Sequence, residues 1–296
     1  MKKRNLVIVR AGDESLHETW LGPLGSDRSW DLVVSYFGTH PHIHRRSDVV
    51  RIDHQGTKFQ GLYALLMSGE LDWRSYDRIW VPDDDLACTS SMVERLFTYF
   101  ECHQLHLAQP SLSHDSYLSH GITIHNPNLL LRRVNFVEVM APMFSRNLLE
   151  RVLHTFAESE SGWGLDFVWP KFVPRPKRDA AIIDAVQVRH TRPIGGPSYT
   201  RMRAEGRSPQ AEMDGLLSAY GVTDKAQVCW SAIDPAGEEL QLNNAEQCLH
   251  LLSVVLEGMR PWLTPKGIDQ TIAGYLRHSP ELRIAGERSV TQQCIA

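Results

Sequence analysis

Apolar positions along the chain follow two periods that take turns. Short, β-branched apolar runs predict buried strands over Leu6–Val9, Asp31–Phe37, Val49–Ile52 and Ile79–Val81. Helical spacing predicts helices over Phe59–Met67 and Met92–Phe100, the second with Val93, Leu96, Phe97 and Phe100 on one face. Further strands are expected at Leu105–Gln109, Gly121–His125, Val134–Val139 and Ala180–Val188, and a helix at Ser145–Glu158. Strands alternating with helices predict an α/β sandwich.

The pattern breaks after the last of these strands. Arg192 to Gln210 carries Pro193, Gly195, Gly196, Pro197, Gly206 and Pro209, and reads as a mobile loop or linker. Beyond it the spacing predicts a helix near Ala211–Tyr220 and a hairpin from Gln227–Ile233 through DPAGEE to Leu240–Leu242. An apolar helix over Ala245–Met259, a last helix near Ile268–Arg277 and a frayed end from Gly286 to Ala296 complete the reading. The chain is therefore divided into residues 1–200, which carry the strand–helix alternation, and a mainly helical extension, 201–296. The apolar helix either packs on the first part or forms an oligomer surface.

Composition narrows the function classes. The net charge of −4 and the absence of a long basic block give no reason to expect nucleic acid as a partner. Five scattered cysteines without CxxC spacing point away from a disulfide framework or a thiolate zinc site, and toward a reducing cytoplasm. No apolar run is long enough to span a bilayer.

Chemistry concentrates in three places. In YDRIWVPDDDL, Tyr76–Leu86, an apolar strand runs straight into Asp83, Asp84 and Asp85. Adjacent carboxylates repel unless a cation or solvent neutralises them. At the carboxyl end of a strand they stand where α/β sheets bind ligands, and they offer hard oxygens to Mg2+ or Mn2+. Ser91 and Glu94 have capping-box spacing for the helix that follows. In GWGLD, Gly162–Asp166, two glycines let the backbone approach a ligand and Trp163 offers a stacking face; Asp166 is either a helix N-cap or a general base. In VRHTRPIGG, Val188–Gly196, His190 follows a strand and could complete a site begun by carboxylates, as an imidazole suits Mn2+ better than Mg2+. HPHIH, His40–His44, is read as a polar loop; SHDSYLSH, Ser113–His120, is a loop that could face a substrate or only solvent. Lys58, at the start of the helix after Asp53, could meet a phosphate.

WVPDDDL, FVEVMAPMFSR (Phe136–Arg146), GWGLDFVWP and IDAVQVRHTRPIGG, in that order, resemble domain of unknown function 707, and more broadly glycosyltransferases of the GT-A architecture. The resemblance covers roughly Asn5 to Gly196. It implies a Rossmann-like mixed sheet flanked by helices and a metal-dependent transfer of a sugar from a nucleotide-sugar donor to a carbohydrate or lipid-linked acceptor. It implies Asp83 and Asp85 as an Asp-x-Asp pair touching ribose and cation, with Asp84 sharing either task and His190 as a further ligand of Mn2+ or Mg2+. Asp166 corresponds to the catalytic base of inverting members. Trp163 and Gly164 would line the acceptor, with Glu138 and His120 nearby, and Arg10, Asp53 and Lys58 would meet the nucleotide. One departure stands out: inverting relatives often carry Glu-Asp after the glycines, and this chain has Leu165–Asp166. That substitution allows the alternative of a non-catalytic carbohydrate- or nucleotide-binding protein on a transferase-like fold.

Overall fold

A computed structural model describes residues 4–195 and 197–278. Gly196, Cys294 and the expected frayed end lie outside the described residues.

The strands are β1 Asn5–Ala11, β2 Trp30–Tyr36, β3 Val50–Asp53, β4 Arg78–Trp80, β5 Leu86–Ala87, β6 Leu107–Leu112, β7 Leu131–Val134, β8 Met143–Ser145, β9 Ala180–His190, β10 Cys229–Ile233 and β11 Glu239–Gln241. The helices are α1 Lys58–Ser68, α2 Ser90–Cys102, α3 Arg146–Val152, α4 Leu165–Val168, α5 Pro197–Ala204, α6 Pro209–Ala219, α7 Ala245–Met259 and α8 Pro265–His278. The strands form one mixed sheet in the order β11-β10-β7-β9-β6-β8-β4-β1-β2-β3, with β5 paired to β9. β1 runs parallel to both β2 and β4, and β6 parallel to β9, while β8 joins the two groups antiparallel to each.

All of β1 is buried, and its side chains divide by parity. Leu6 and Ile8 enter the apolar cluster that also holds residues of α1, α3 and α7. Val7, Val9 and Ala11 enter the cluster that holds residues of α2. A strand covered on both faces needs no polar alternation, which is why these segments read as continuous apolar runs. The fold is thus the mixed α/β sheet flanked by helices that the pattern predicts.

Several local expectations are corrected. Gly121–His125 is not a strand: it holds a 3-10 turn, Gly121–Thr123. The carbonyls of Ile122 and Ile124 accept from the Arg132 guanidinium (both 2.7 Å), and Arg132 forms a fork with the fully buried Asp184 carboxylate (2.7 and 2.9 Å). A buried ion pair requires such full hydrogen bonding, and here it takes carbonyls that a ladder would have used. The strand expected over Val134–Val139 ends at Val134, after which Asn135 bonds to Ala226 and Val228, and Glu138 N–H donates to the Gln109 side chain. No capping box forms at α2. Thr89 is the N-cap, accepting from Met92 N–H, and Glu94 instead accepts from Ser29. Ser145–Glu158 is split into α3 and a 3-10 segment, Leu153–Ala157.

Residues past 200 join the same sheet: the expected hairpin is β10–β11, and β10 pairs with β7. α7 lies where expected and buries Cys248, Leu251, Leu252, Val255 and Met259 against this end of the fold. None of the described helices is long and apolar enough to cross a membrane.

Candidate functional site

The short strand β5 is what assembles the site. It pairs antiparallel with the end of β9, Leu86 opposite His190, and so brings Asp85 beside a histidine from far along the chain. The Asp85 carbonyl accepts from both Thr191 N–H (3.1 Å) and Thr191 Oγ1 (2.8 Å), which fixes this register. On the other side, Asp83 N–H donates to the Met140 carbonyl at 2.7 Å, extending the β4–β8 edge to the acidic turn.

Asp83, Asp85 and His190 each place one ligand atom within 4.8 Å of the others. His190 Nε2 is 3.1 Å from Asp85 Oδ2, and its Nδ1 is 2.8 Å from the Tyr117 carbonyl. A carbonyl can only accept, so Nδ1 carries the proton and Nε2 faces the acids, the tautomer a cation needs. Burial opposes charge on His190, but Asp85, the Tyr117 carbonyl and Asp83 together hold its pKa above the ordinary value. Burial pushes the Asp83 carboxyl up, opposed by Lys58, whose Nζ is 2.6 Å from Oδ1. Asp85 Oδ1 is buried with no hydrogen-bond partner. A buried oxygen without a partner is costly, and a cation held by two carboxylates and one imidazole would satisfy it. The three residues therefore fit Mn2+ or a similar divalent ion.

These groups open on a cavity of about 1010 Å³. Of the residues expected at the site, Arg10, Lys58, Asp83, Asp84, Asp85, His120, Glu138, Trp163, Gly164, Asp166 and His190 line it. Asp53 does not: on the edge strand β3 its exposed carboxylate accepts from Nε of the buried Arg51 side chain at 2.6 Å. Asp84 turns from its neighbours, accepting from Gly12 N–H (2.8 Å) and Arg192 (3.2 Å). Lys58 is the first residue of α1, but its ammonium already donates to Asp83 and to the carbonyls of Val139 and Met140. Arg10 donates to Ser35 Oγ (2.8 Å) and to the carbonyls of His54 and Gly56 (2.6 Å each), holding the loop that enters α1. Burial lowers its pKa to about 10.

Asp166 is not an N-cap. It sits inside α4, which Gly164 precedes, and is 4% exposed. Burial pushes its pKa up to about 7, against hydrogen bonds from backbone N–H groups including Phe167. Burial, then the nearby Asp166, push Glu138 up to about 8; its Oε2 has no partner. His120 Nε2 is 4.0 Å from Asp166 Oδ2, and burial lowers the His120 pKa to about 4. Gly162 and Gly164 have φ of +83° and +94°, and a Cβ on Gly162 would lie 2.9 Å from the Phe59 ring. Backbone conformation at both positions, and the Phe59 ring at Gly162, are by themselves enough to require glycine. Leu165 is fully buried in the apolar core, so the position after the glycines where the resemblance anticipates an acid holds a packing residue; Glu138 lines the same cavity as Asp166.

Arg192, Tyr199 and Lys225 also line the cavity and were not legible as site residues. The stretch expected as a mobile linker contains α5, fastened over the Gly-Trp-Gly segment. Trp163 Nε1–H donates to Tyr199 Oη at 2.9 Å, and Arg201 and Arg207 pair with Glu160. Within α6, Glu212 accepts from Ser161 N–H at 3.0 Å.

No protein-family model matches the chain, that for domain of unknown function 707 included, and no curated protein matches it. Among solved structures it is similar to glucosyl-3-phosphoglycerate synthase from Mycobacterium tuberculosis in complex with Mn2+, uridine diphosphate and glucosyl-3-phosphoglycerate. That pair shares 14% identity over 77% of this chain and 87% of the other, with a TM-score of 0.45. It is also similar to TarS 1-349 from S. aureus in complex with UDP-GlcNAc, at 10% identity over 94% and 82%, TM-score 0.49. A third is 4-diphosphocytidyl-2C-methyl-D-erythritol synthase from Anaerococcus prevotii, at 8% identity over 68% and 96%, TM-score 0.39. Likeness at this level carries no argument by itself, and the chemistry rests on the site's own side chains.

Proposed function

We propose that the chain is a divalent-cation-dependent glycosyltransferase, moving a sugar from a nucleotide-sugar donor to a hydroxyl of a carbohydrate or lipid-linked acceptor, with inversion. One observation carries this reading. A cluster able to hold a cation, with an unsatisfied buried oxygen on Asp85, shares a cavity with two buried carboxyl groups whose pKa values reach about 7 and about 8.

Asp83, Asp85 and His190 would hold the ion, which when bound offsets the charge that develops on a departing diphosphate. Asp84 orients the turn through Gly12 and Arg192 rather than binding the ion. Asp166 takes the proton from the acceptor hydroxyl; a base with a pKa near neutrality is matched to that task. Glu138 beside it disfavours a second negative charge and so keeps the pair holding one proton near neutral pH. Trp163 and Phe167 offer flat faces to a sugar ring. α5, seated over Trp163, screens the site from water.

Leu165 gives little support to the non-catalytic alternative, because it is a core residue and Glu138 lines the same cavity as Asp166. The test is a thermal-shift panel of nucleotide sugars, UDP and GDP, each with and without Mn2+, followed by mass spectrometry for a transferred sugar. Stabilisation by a nucleotide only with Mn2+, lost in Asp85→Asn, is expected. No stabilisation by any nucleotide would overturn the reading.

A further inference from the structure

His40–His44 sits in a polar loop, yet His44 does not face solvent alone. Its ring packs edge-on to that of His17, with centroids 4.6 Å apart, and His17 is 1% exposed. Glu18 completes a group whose three ligand atoms lie within 4.8 Å of one another.

The hydrogen bonds around this group leave lone pairs pointing inward. His44 Nε2 is 3.1 Å from the Gly12 carbonyl oxygen, which can only accept, so Nε2 carries a proton. His44 Nδ1 then faces Glu18 Oε1 at 2.8 Å. A neutral ring would set two lone pairs against each other there, so this edge requires either a second proton or a metal cation. At His17, Ser15 Oγ lies 2.6 Å from Nδ1, accepts from the His17 N–H (3.5 Å) and donates to the Asp84 carbonyl (3.5 Å). The tautomer with its proton on Nδ1, donating to Ser15 Oγ, is the one that leaves Nε2 as the lone pair a cation needs. His44 also holds a left-handed backbone, φ 57°, uncommon for a residue other than glycine and of the kind that gathers at ligand sites.

From this geometry we infer a second metal site, in which His17, Glu18 and His44 bind one Zn2+-class cation. Two imidazoles and one carboxylate favour zinc over magnesium, and three protein ligands with Glu18 at the surface leave a fourth position for water. Gly12 joins the site to the acidic turn, its C=O accepting from His44 and its N–H donating to Asp84, and Leu16 N–H donates to the Asp84 carbonyl at 2.7 Å. An ion here would stiffen the loop after β1 against the turn that carries Asp83 and Asp85.

The inference is independent of the transferase reading, and its test removes the other cation cluster first. The full chain with Asp85→Asn is stripped with EDTA and titrated with Zn2+ alone by calorimetry, then with Co2+ as an absorption probe. One Zn2+ per chain and a visible Co2+ band are expected. Glu18→Gln, an exposed change that spares the core, should weaken Zn2+ at least tenfold. His44→Asn, which keeps a residue tolerant of the left-handed backbone, should abolish the Co2+ band. Unchanged Zn2+ affinity in the Glu18→Gln, His44→Asn double variant, or no Zn2+ binding in the Asp85→Asn parent, overturns the site.

Discussion

Two sets of carboxyl groups share one cavity and differ in their company. Asp83 meets the Lys58 ammonium at 2.6 Å and Asp85 meets the His190 imidazole at 3.1 Å. Asp166 and Glu138 have no Lys or Arg at hydrogen-bond distance among the described residues; the imidazole of His120, 4.0 Å from Asp166, is kept neutral by burial. Chemically alike acids are thus given different work by their surroundings. The first set has an ammonium and an imidazole beside it, as the proposed cation site requires. The second is buried without such partners, as the proposed proton transfer near neutral pH requires.

The comparison breaks most readily at Asp85. Asp85→Asn removes a ligand but keeps the shape, so the fold and melting temperature should stay near wild type. Transfer should fall by about 10⁴-fold, the several kcal/mol that a bound metal contributes to a developing charge. Product formation is measured by mass spectrometry across Mn2+ concentrations. Activity restored by raising Mn2+ to wild-type rates would assign Asp85 no more than a share in affinity.

Asp166→Asn tests the other set. Loss of a general base costs about 10²–10³-fold in turnover while Mn2+ and donor binding stay intact. Glu138→Gln should cost less and should leave the acidic limb of the pH–rate profile in place, since burial rather than Glu138 raises Asp166. A larger loss from Glu138→Gln than from Asp166→Asn would exchange their roles.

A smaller effect separates the sets without any substrate. Both Asp166 and Glu138 have folded pKa values raised by burial, to about 7 and about 8. The folded chain therefore keeps protons that the unfolded chain releases near pH ~4. Their contribution to stability is full below that pH and is lost as pH rises through about 7 and then about 8. Glu138→Gln should raise the melting temperature by roughly 2–4 °C per kcal/mol recovered at pH 9, and change it little at pH 4. Equal shifts at both values would mean that Glu138 is ionised when buried.

This contrast explains which parts of the site were legible in the sequence. The acids of one set announce themselves as an unbroken triplet after a strand, and the apolar runs of β1, β2 and β4 are plain because both faces are buried. The β5–β9 pairing is two residues long, too short for any periodicity, yet it alone brings Asp85 to His190. Glu138 was expected near the acceptor, but its partnership with Asp166 depends on β7 ending early, a consequence of side-chain bonds by Asn135 and Gln109 that no apolar pattern encodes. The strand expected at Gly121–His125 failed for a similar reason, since Arg132 and Asp184 meet only in the folded chain. Composition hid α5 outright: glycines and prolines that predict a linker flank a helix held by Tyr199 and Glu160.

The smallest predicted effect asks whether that helix belongs to the comparison at all. Tyr199→Phe keeps the ring beside Trp163, with centroids 6.0 Å apart, and removes only the hydroxyl that accepts from Trp163 Nε1. A neutral hydrogen bond contributes about 1 kcal/mol, so the indole should be held less firmly and the acceptor KM should rise about fivefold. Turnover and donor KM should stay within about twofold, because among the described residues the Tyr199 hydroxyl hydrogen-bonds to Trp163 and not to the cation ligands or the proton-transfer pair. A drop in kcat beyond tenfold with KM unchanged would instead put the Tyr199 hydroxyl among the groups that act in the transition state. The division of labour between the two carboxyl sets would then be incomplete, with a third polar group from the mobile-looking segment sharing the proton or the leaving group.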